Sequence, residues 1–181
     1  MSNWFETKEA LLAKSWDVLA GVRGEGRQIG FATTSLSGWP EARTVVLRQA
    51  DPTAQTLTIH TDIHSSKIKS LRDNPRASIL FWDDALRLQL RLQADVVIQT
   101  GQSVAKVWAE VPDPSRQSYG TSPAPGTPIA QALDYSKPCL QAAFAVLSCR
   151  VVTMDVVHLG AAHRRARFTR DGDWAGQWLS P

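Results

Sequence analysis

The sequence predicts a mainly β fold of the α+β class, in which short strands close into a barrel and a few short helices lie at its periphery. Two observations predict this class. Short β-rich runs separated by turn residues recur along the chain, and their order lacks the strand–helix alternation of a doubly wound parallel sheet. A chain of 181 residues can bury one sizeable core without metal or disulfide staples, so we expect a single domain over residues 1–181.

The strands are predicted from β-rich runs bounded by turn residues. Five runs come first, at residues 28–34, 41–48, 56–61, 77–82 and 86–98. The turn Ser37-Gly38-Trp39-Pro40 separates the first two. The tail returns to strands at residues 142–151, 152–158, 166–170 and 174–179, the last two joined through Asp171-Gly172. The barrel is therefore expected over residues 28–181, with eight or nine strands.

Three short helices accompany the strands. An amphipathic helix is predicted over residues 3–22, and Gly21, Gly24 and Gly26 end it. Its apolar side comprises Trp4, Leu11, Leu12, Trp16, Val18 and Leu19. A serine cap at Ser65 or Ser66 begins the second helix, which Asn74-Pro75 stops. The third covers residues 103–110, and the proline-rich residues 112–128 predict an irregular lid or rim with one helical turn.

Composition and motifs exclude several function classes. The formal charge of +3, from 20 basic and 17 acidic residues, is too small to indicate nucleic-acid binding. Apolar runs fall far short of the roughly 20 residues that a membrane helix needs, so no membrane association is expected. The N-terminus contains acidic residues and no apolar region follows, so we expect a cytoplasmic protein without a targeting peptide.

Cysteines, histidines and glycines indicate neither a metal nor a Rossmann site. Cys139 and Cys149 fit no metal motif and are expected to be buried thiols. His60 and His64 straddle a strand end and a loop without a third ligand, so no metal is expected. The glycines near residue 24 read G-x-x-G-x-G after a helix, which is not the dinucleotide-binding pattern.

A candidate anion site can be identified from the residues alone. Arg43 opens a strand, and Ser65, Ser66 and Lys67 open a helix whose free N–H groups and dipole favour a phosphate. Together these groups form a predicted phosphate clamp. A capped surface helix with a solvated lysine is the alternative interpretation.

A second candidate group lies on the strand that contains Gln89. Alternation places its leucines on one face and Arg87, Gln89, Arg91 and Gln93 on the other. A side-chain amide suits the edge of a heterocycle that presents N–H and C=O groups. A polar, solvent-facing strand surface is an equally good interpretation, and the residues alone leave both open.

Several ordered segments carry a resemblance to a known family. They are Arg43-Thr-Val-Val-Leu-Arg48, Ile59-His-Thr61, Ser65-Ser-Lys67, Asn74-Pro-Arg-Ala-Ser-Ile-Leu-Phe81 and Leu86-Arg-Leu-Gln89. In this order and spacing the chain resembles the pyridoxamine 5'-phosphate oxidase family of FMN-binding split barrels. The closing Arg167-Phe168, Trp174 and Leu179-Ser-Pro181 resemble the family's C-terminal end, so the resemblance runs from about residue 28 to the last residue.

The resemblance implies an FMN site and a homodimer with FMN at the subunit interface. By this resemblance Arg43 and Lys67 hold the FMN phosphate, with Ser66 alongside, while Gln89 and Arg165 reach the flavin. The other cofactor-binding residues implied are Thr44, Val45, Val46, Arg48, His60 and Thr61. Some tryptophans are expected at the interface, from the set Trp4, Trp16, Trp39, Trp82 and Trp108.

The residues that grip the substrate in this family are only partly present. Arg48 and Ser115 match its phosphate-binding set, but Val107 and Val111 stand where the family has a tyrosine and an arginine. In the family's Arg-x-His motif the histidine remains as His163, whereas Ala161 replaces the arginine. The family's Gln-Ser pair is replaced around Ala124-Pro125, and its C-terminal tryptophan appears as Val157. The resemblance therefore implies a retained FMN site with weakened binding of pyridoxamine 5'-phosphate.

The function expected from these residues is a flavin-dependent oxidoreductase that acts on an unidentified small molecule. His163 is the one candidate catalytic side chain. One alternative is a genuine pyridoxamine 5'-phosphate oxidase in which Arg116 or Arg164 replaces the missing contacts. The other is a flavin-binding module that is not an enzyme.

Overall fold

The computed structural model describes residues 3–21 and 27–181. Eight antiparallel strands make up its single sheet: β1 Arg27–Thr34, β2 Pro40–Asp51, β3 Thr56–Asp62, β4 Arg76–Asp83, β5 Leu88–Thr100, β6 Phe144–His158, β7 Arg164–Thr169 and β8 Gln177–Leu179. The helices are α1 Lys8–Ala20, α2 Ser66–Asp73, α3 Ala105–Glu110 and α4 Asp113–Arg116. Gly24 and Gly26, which were expected to end the first helix, lie outside the described residues.

The strand order closes the sheet into a barrel. Neighbouring strands run β3-β2-β1-β4-β5-β6, and β3 also pairs with β6, so these six strands form a closed antiparallel barrel. β7 and β8 continue the sheet outward from β6. The predicted mainly β class with a split barrel and short peripheral helices is thereby confirmed.

Alternation along the strands decides which side chains fill the barrel. On β4, Ala77, Ile79 and Phe81 are buried, and the residues between them are exposed. On β5 the leucines at positions 88, 90 and 92 are buried, as the sequence predicted. Because successive side chains of a strand point to opposite faces, Gln89 and Arg91 lie on the outer face of the barrel.

The helices differ from the predictions mainly at their ends. α1 begins at Lys8 rather than at residue 3, because Thr7 is extended and its hydroxyl accepts a hydrogen bond from the Ala10 N–H as an N-cap. The third helix is divided into a 3-10 turn over Gly101–Val104 followed by α3. α4 supplies the single helical turn that was predicted inside residues 112–128. None of the helices in the described part of the chain has the length and hydropathy of a membrane span.

The predicted bounds of β5, β6, β7 and β8 are corrected. Residues 142–151 and 152–158 are one strand, β6, in which Val152 is a bulge because Val151 pairs with Ala94 and Thr153 pairs with Gln93. β5 begins at Leu88 rather than at residue 86, because Arg87 takes a positive φ of 50° in the preceding turn. β8 is limited to Gln177–Leu179, and β7 runs over Arg164–Thr169 rather than residues 166–170.

Candidate functional site

The predicted phosphate clamp brings β2, β3 and α2 together. Arg43 donates from Nη1 to Thr33 Oγ1 at 2.8 Å and to the Phe31 carbonyl at 3.3 Å, and from Nη2 to Glu41 Oε2 at 2.9 Å. Lys67 Nζ donates to Thr61 Oγ1 at 3.0 Å. Three of the five guanidinium N–H donors of Arg43 are thus used by described residues, which leaves two for a ligand.

The electrostatics of Lys67 fit an anion site. Burial lowers the pKa of Lys67, and the nearby Arg43 lowers it further, while Asp62 acts in the opposite direction. Lys67 makes no ion pair with any residue in the described ranges. Two cations held close together in a partly buried place favour an anion between them, so these residues fit the phosphate of FMN.

The start of α2 adds free backbone donors to this clamp. Ser65 occupies the N-cap position, but its hydroxyl makes no capping hydrogen bond and lies 3.3 Å from Thr61 Oγ1 instead. The predicted serine cap is therefore wrong in its hydrogen bond, although α2 does begin at Ser66. Because the side chain does not cap the helix, first-turn N–H groups remain available for a phosphate.

Arg48 and His60 form a second group on the outside of the barrel. His60 and Thr61 are consecutive in β3, so His60 faces away from the clamp and packs edge-on against Phe144, with ring centroids 5.0 Å apart. Burial and the charge of Arg48 lower the pKa of His60 to about 4. Both residues line a cleft of about 410 Å³ together with Val107 and Val111.

Gln89 and Arg165 lie on one outward row across β5, β6 and β7. Gln89 pairs with Val157, which pairs with Arg165, so the three side chains share a face. The next row contains Arg91, Asp155 and Arg167 in the same way. The predicted flavin residues Gln89 and Arg165 are thus brought close together in the fold.

Asp155 is a residue of this face that the sequence reasoning missed. Its carboxylate accepts from Arg165 at 3.1 and 3.0 Å, from Arg91 at 2.9 Å and from Arg167 at 3.1 Å. Burial alone would raise the pKa of Asp155, but hydrogen bonds from the three arginines hold it at about 2. The signal in the sequence was a lone acid inside the apolar β6 run.

Replacing Asp155 with Asn should destabilise the fold in a pH-dependent way. The folded pKa of about 2 lies below the ordinary aspartate value of 3.8, which corresponds to about 2 kcal/mol of stability near neutral pH. Because the folded pKa is depressed, this contribution is present above pH 4 and is lost as the pH falls towards 2. Urea unfolding of wild type and D155N between pH 2 and 7 measures the difference.

The matched control for this experiment is Asp95→Asn. Asp95 pairs with Arg150 at 2.6 Å, but both side chains are about half exposed, so we expect a loss below about 1 kcal/mol. Equal losses in D95N and D155N, or a D155N difference that persists at pH 2, would contradict the role given to Asp155.

The remaining predicted cofactor contacts lie on β2 and at the start of α2. Val45 pairs with Ile29 and packs against the barrel core, so only its backbone is available to a ligand. Thr44 pairs with Gly30 and is exposed on the outer face. Val46 is half-buried, and Ser66 is exposed at the start of α2.

His163 and the two arginines suggested as replacement contacts are not among the residues that line the cleft beside Arg48. His163 is exposed in the loop before β7. Arg116 already binds Asp113 and the carbonyls of Trp108 and Ala109. Arg164 stacks over the Phe5 ring with its guanidinium carbon 4.6 Å from the ring centroid. Both arginines are therefore engaged in contacts within the chain.

The two cysteines differ in burial, and His64 lies beside Asp62. Cys149 is fully buried, as predicted, and burial raises the pKa of its thiol to about 12. Cys139 is half-buried, so the prediction of two buried thiols is wrong for this residue, which lies on the exposed 121–140 segment. His64 Nδ1 lies 3.0 Å from Asp62 Oδ1.

The closed barrel with two added strands is the split-barrel fold of FMN-binding proteins. The family model for the pyridoxamine 5'-phosphate oxidase FMN-binding domain matches residues 6–100, and the chain belongs to this family. Its cofactor is FMN.

Curated relatives match over parts of their length. The pyridoxine/pyridoxamine 5'-phosphate oxidase of Microcystis aeruginosa is 33% identical over 88 residues, which are 48% of this chain and 40% of the relative. The enzyme of the same name from Acinetobacter baumannii is 31% identical over 139 residues, 77% of this chain and 61% of the relative. The chain thus matches about two to three fifths of the length of these two relatives.

Solved structures share the whole fold. A pyridoxamine 5'-phosphate oxidase-related FMN-binding protein from Nostoc punctiforme aligns with a TM-score of 0.76 at 23% identity, covering 100% of this chain and 99% of that one. PhzG from Burkholderia lata, solved with tetrahydrophenazine-1-carboxylic acid, aligns with a TM-score of 0.74 at 19% identity, covering 100% and 97%. At these identities the likeness concerns the fold.

Proposed function

We propose that this protein is an FMN-dependent oxidoreductase that acts on a small molecule. The observation that carries the proposal is the Arg43–Lys67 pair, in which Arg43 on β2 lies near Lys67 at the start of α2 and Lys67 has no carboxylate partner among the described residues. Retention of a phosphate site in a chain of an FMN-binding family supports a working flavin rather than a barrel without its cofactor.

Each part of the site has a distinct role in this proposal. Arg43, Lys67 and the first N–H groups of α2 bind the phosphate, and the Thr61 hydroxyl positions the lysine ammonium. Gln89 and Arg165 face the ring edge, and Asp155 holds Arg165 in place. Bound FMN supplies hydride exchange with the substrate, and the protein supplies binding, orientation and charge.

The proposal includes a homodimer with FMN at the subunit interface. On the outer face of β4, Leu80 and Trp82 are 48% and 44% exposed, and they stand beside Gly30 and Gln89. An exposed apolar pair next to residues proposed to meet the flavin suits a surface that a second copy covers. Light scattering on the purified protein tests this assembly, and a monomer retaining FMN would contradict it.

Substrate screening tests the oxidoreductase function. The FMN-loaded protein is mixed anaerobically with NADH, NADPH and metabolite mixtures, and bleaching of the flavin absorption is followed. We expect at least one donor to bleach the flavin within seconds to minutes. Reduction by dithionite alone would contradict the proposal and would favour a flavin-binding module without enzymatic activity.

A genuine pyridoxamine 5'-phosphate oxidase is the second candidate. The curated relatives that carry this name favour it. Against it, the cleft beside Arg48 presents Val107 and Val111, and Ser115 is not among the residues that line it. Formation of pyridoxal 5'-phosphate and hydrogen peroxide from pyridoxamine 5'-phosphate would establish this candidate in place of the first.

His163→Ala tests the one candidate catalytic side chain. If His163 transfers a proton during turnover, its loss should lower kcat by about a hundredfold with a discovered substrate, while FMN content stays the same. His64→Ala is the matched control, because His64 is also largely exposed and its ring is bonded to Asp62. Unchanged turnover in His163→Ala would remove this residue from the mechanism.

A further inference from the structure

We propose that the cleft between β2, β3 and α3 binds a substrate with a single carboxylate on an apolar body, with Arg48 as the partner of the carboxylate. The inference rests on the proposed function and adds the chemical class of its substrate. The cleft holds about 410 Å³, a volume suited to a small molecule.

Arg48 is a cation whose hydrogen-bonding capacity is not fully used. Its Nε atom is buried and has no hydrogen-bond partner. Its guanidinium makes no ion pair with residues 3–21 or 27–181, and the Tyr119 side chain is bonded to it. A buried donor without a partner is costly, and a carboxylate can satisfy a guanidinium with two parallel hydrogen bonds.

The charges around the cleft favour one negative charge over two. Arg48 is the only cation, and Glu110 the only acid, among the described residues that line it. His60 stands beside Arg48 and stays neutral near pH 7, since its pKa is lowered to about 4. A phosphate dianion would meet one positive charge and the nearby Glu110, whereas a carboxylate matches Arg48 one to one.

The α3 and β6 sides of the cleft are suited to an apolar body. Val107, Val111 and Pro112 come from the α3 side, and Val146 comes from β6. Gln49, Thr58 and Gln99 supply a few uncharged polar groups. Four of the ten lining residues are thus apolar and offer a surface against which an apolar ligand body can pack, while the other six are polar or charged.

Tyr119 is a positioning residue for Arg48. Its ring is buried against Trp108 and Phe144, with centroid distances of 5.9 and 4.9 Å. The next residue, Gly120, donates its N–H to the buried Asp62 carboxylate at 2.6 Å, which fixes this stretch of the irregular segment to the end of β3. The Tyr119 side chain thereby holds the Arg48 guanidinium at the cleft.

Calorimetric titration of the FMN-loaded protein with benzoate, phenyl phosphate and acetate tests the proposal. Benzoate should bind at least about tenfold more tightly than phenyl phosphate, because of the single available charge, and more tightly than acetate, because of its ring. Arg48→Gln should weaken benzoate binding by about 10- to 100-fold. Glu110→Gln should strengthen the binding of both benzoate and phenyl phosphate.

Lys106→Gln is the matched control, because Lys106 is an exposed cation on α3 that does not line the cleft. It should bind benzoate like the wild type. Tighter binding of phenyl phosphate than benzoate, or equal benzoate binding by Arg48→Gln, would overturn the carboxylate site. Loss of FMN from Arg48→Gln would also overturn it and return Arg48 to the cofactor site. A wild-type protein that holds no FMN would instead contradict the proposed function.

Discussion

Replacing both Arg43 and Lys67 with alanine should remove FMN from the protein. Each side chain is placed to make a charge-assisted hydrogen bond to the phosphate, and each such bond contributes about 1.5 to 3 kcal/mol. Losing both corresponds to a rise in the FMN dissociation constant of roughly 10²- to 10⁴-fold. The double variant should therefore purify without the yellow colour of a flavoprotein.

The measurement is a titration of FMN-free protein with FMN, followed by the quenching of flavin fluorescence. Lys69→Ala is the matched control, because Lys69 is an exposed cation on the same helix. It should bind FMN like the wild type. Circular dichroism shows whether the double variant is folded, and a folded double variant with wild-type affinity would refute the clamp.

Introducing the family's missing substrate contacts should create phosphate affinity in the cleft. Val107→Tyr with Val111→Arg adds a hydroxyl and a second cation to a cleft that already contains Arg48. Two added charge-assisted or hydroxyl contacts should tighten pyridoxal 5'-phosphate binding by about a hundredfold or more. The dissociation constant is measured by absorption titration of the FMN-loaded protein.

The control for this gain of binding is a pair of substitutions that add bulk but no polar group. Val107→Phe with Val111→Met fills similar space and adds no donor, so it should leave phosphate affinity at the wild-type level. Val111 is 5% exposed, so the single variant Val107→Tyr is measured as well, and about a tenfold gain is expected from it. If neither tyrosine-containing variant gains affinity while both remain folded, the cleft is not the counterpart of the family's substrate site.

The barrel could be predicted because its signal is local. Alternation along β5 separated its leucines from its polar residues, and the Ser65–Lys67 run identified the start of α2. The prediction was wrong where it divided β6 into two strands at the bulge at Val152. A bulge depends on pairing with β5, so it leaves little trace in the sequence of one strand.

The candidate site could be predicted only in part, because several of its contacts also depend on how the strands pair. Arg43 and Lys67 could be grouped because the sequence places Arg43 near the start of a strand and Lys67 near the start of a helix. The three arginines around Asp155 come from β5 and β7 and meet only through strand register. Likewise, nothing near Arg48 in the sequence indicates Tyr119, which the Gly120–Asp62 hydrogen bond helps to place beside it.

Comparing FMN with riboflavin tests the phosphate clamp most directly, since the two ligands differ only in the phosphate. The wild type should bind FMN roughly 10²- to 10⁴-fold more tightly than riboflavin, and the variant lacking Arg43 and Lys67 should bind both with similar affinity. Equal binding of the two ligands by the wild type, or an undiminished preference for FMN in the variant, would show that the phosphate is held elsewhere.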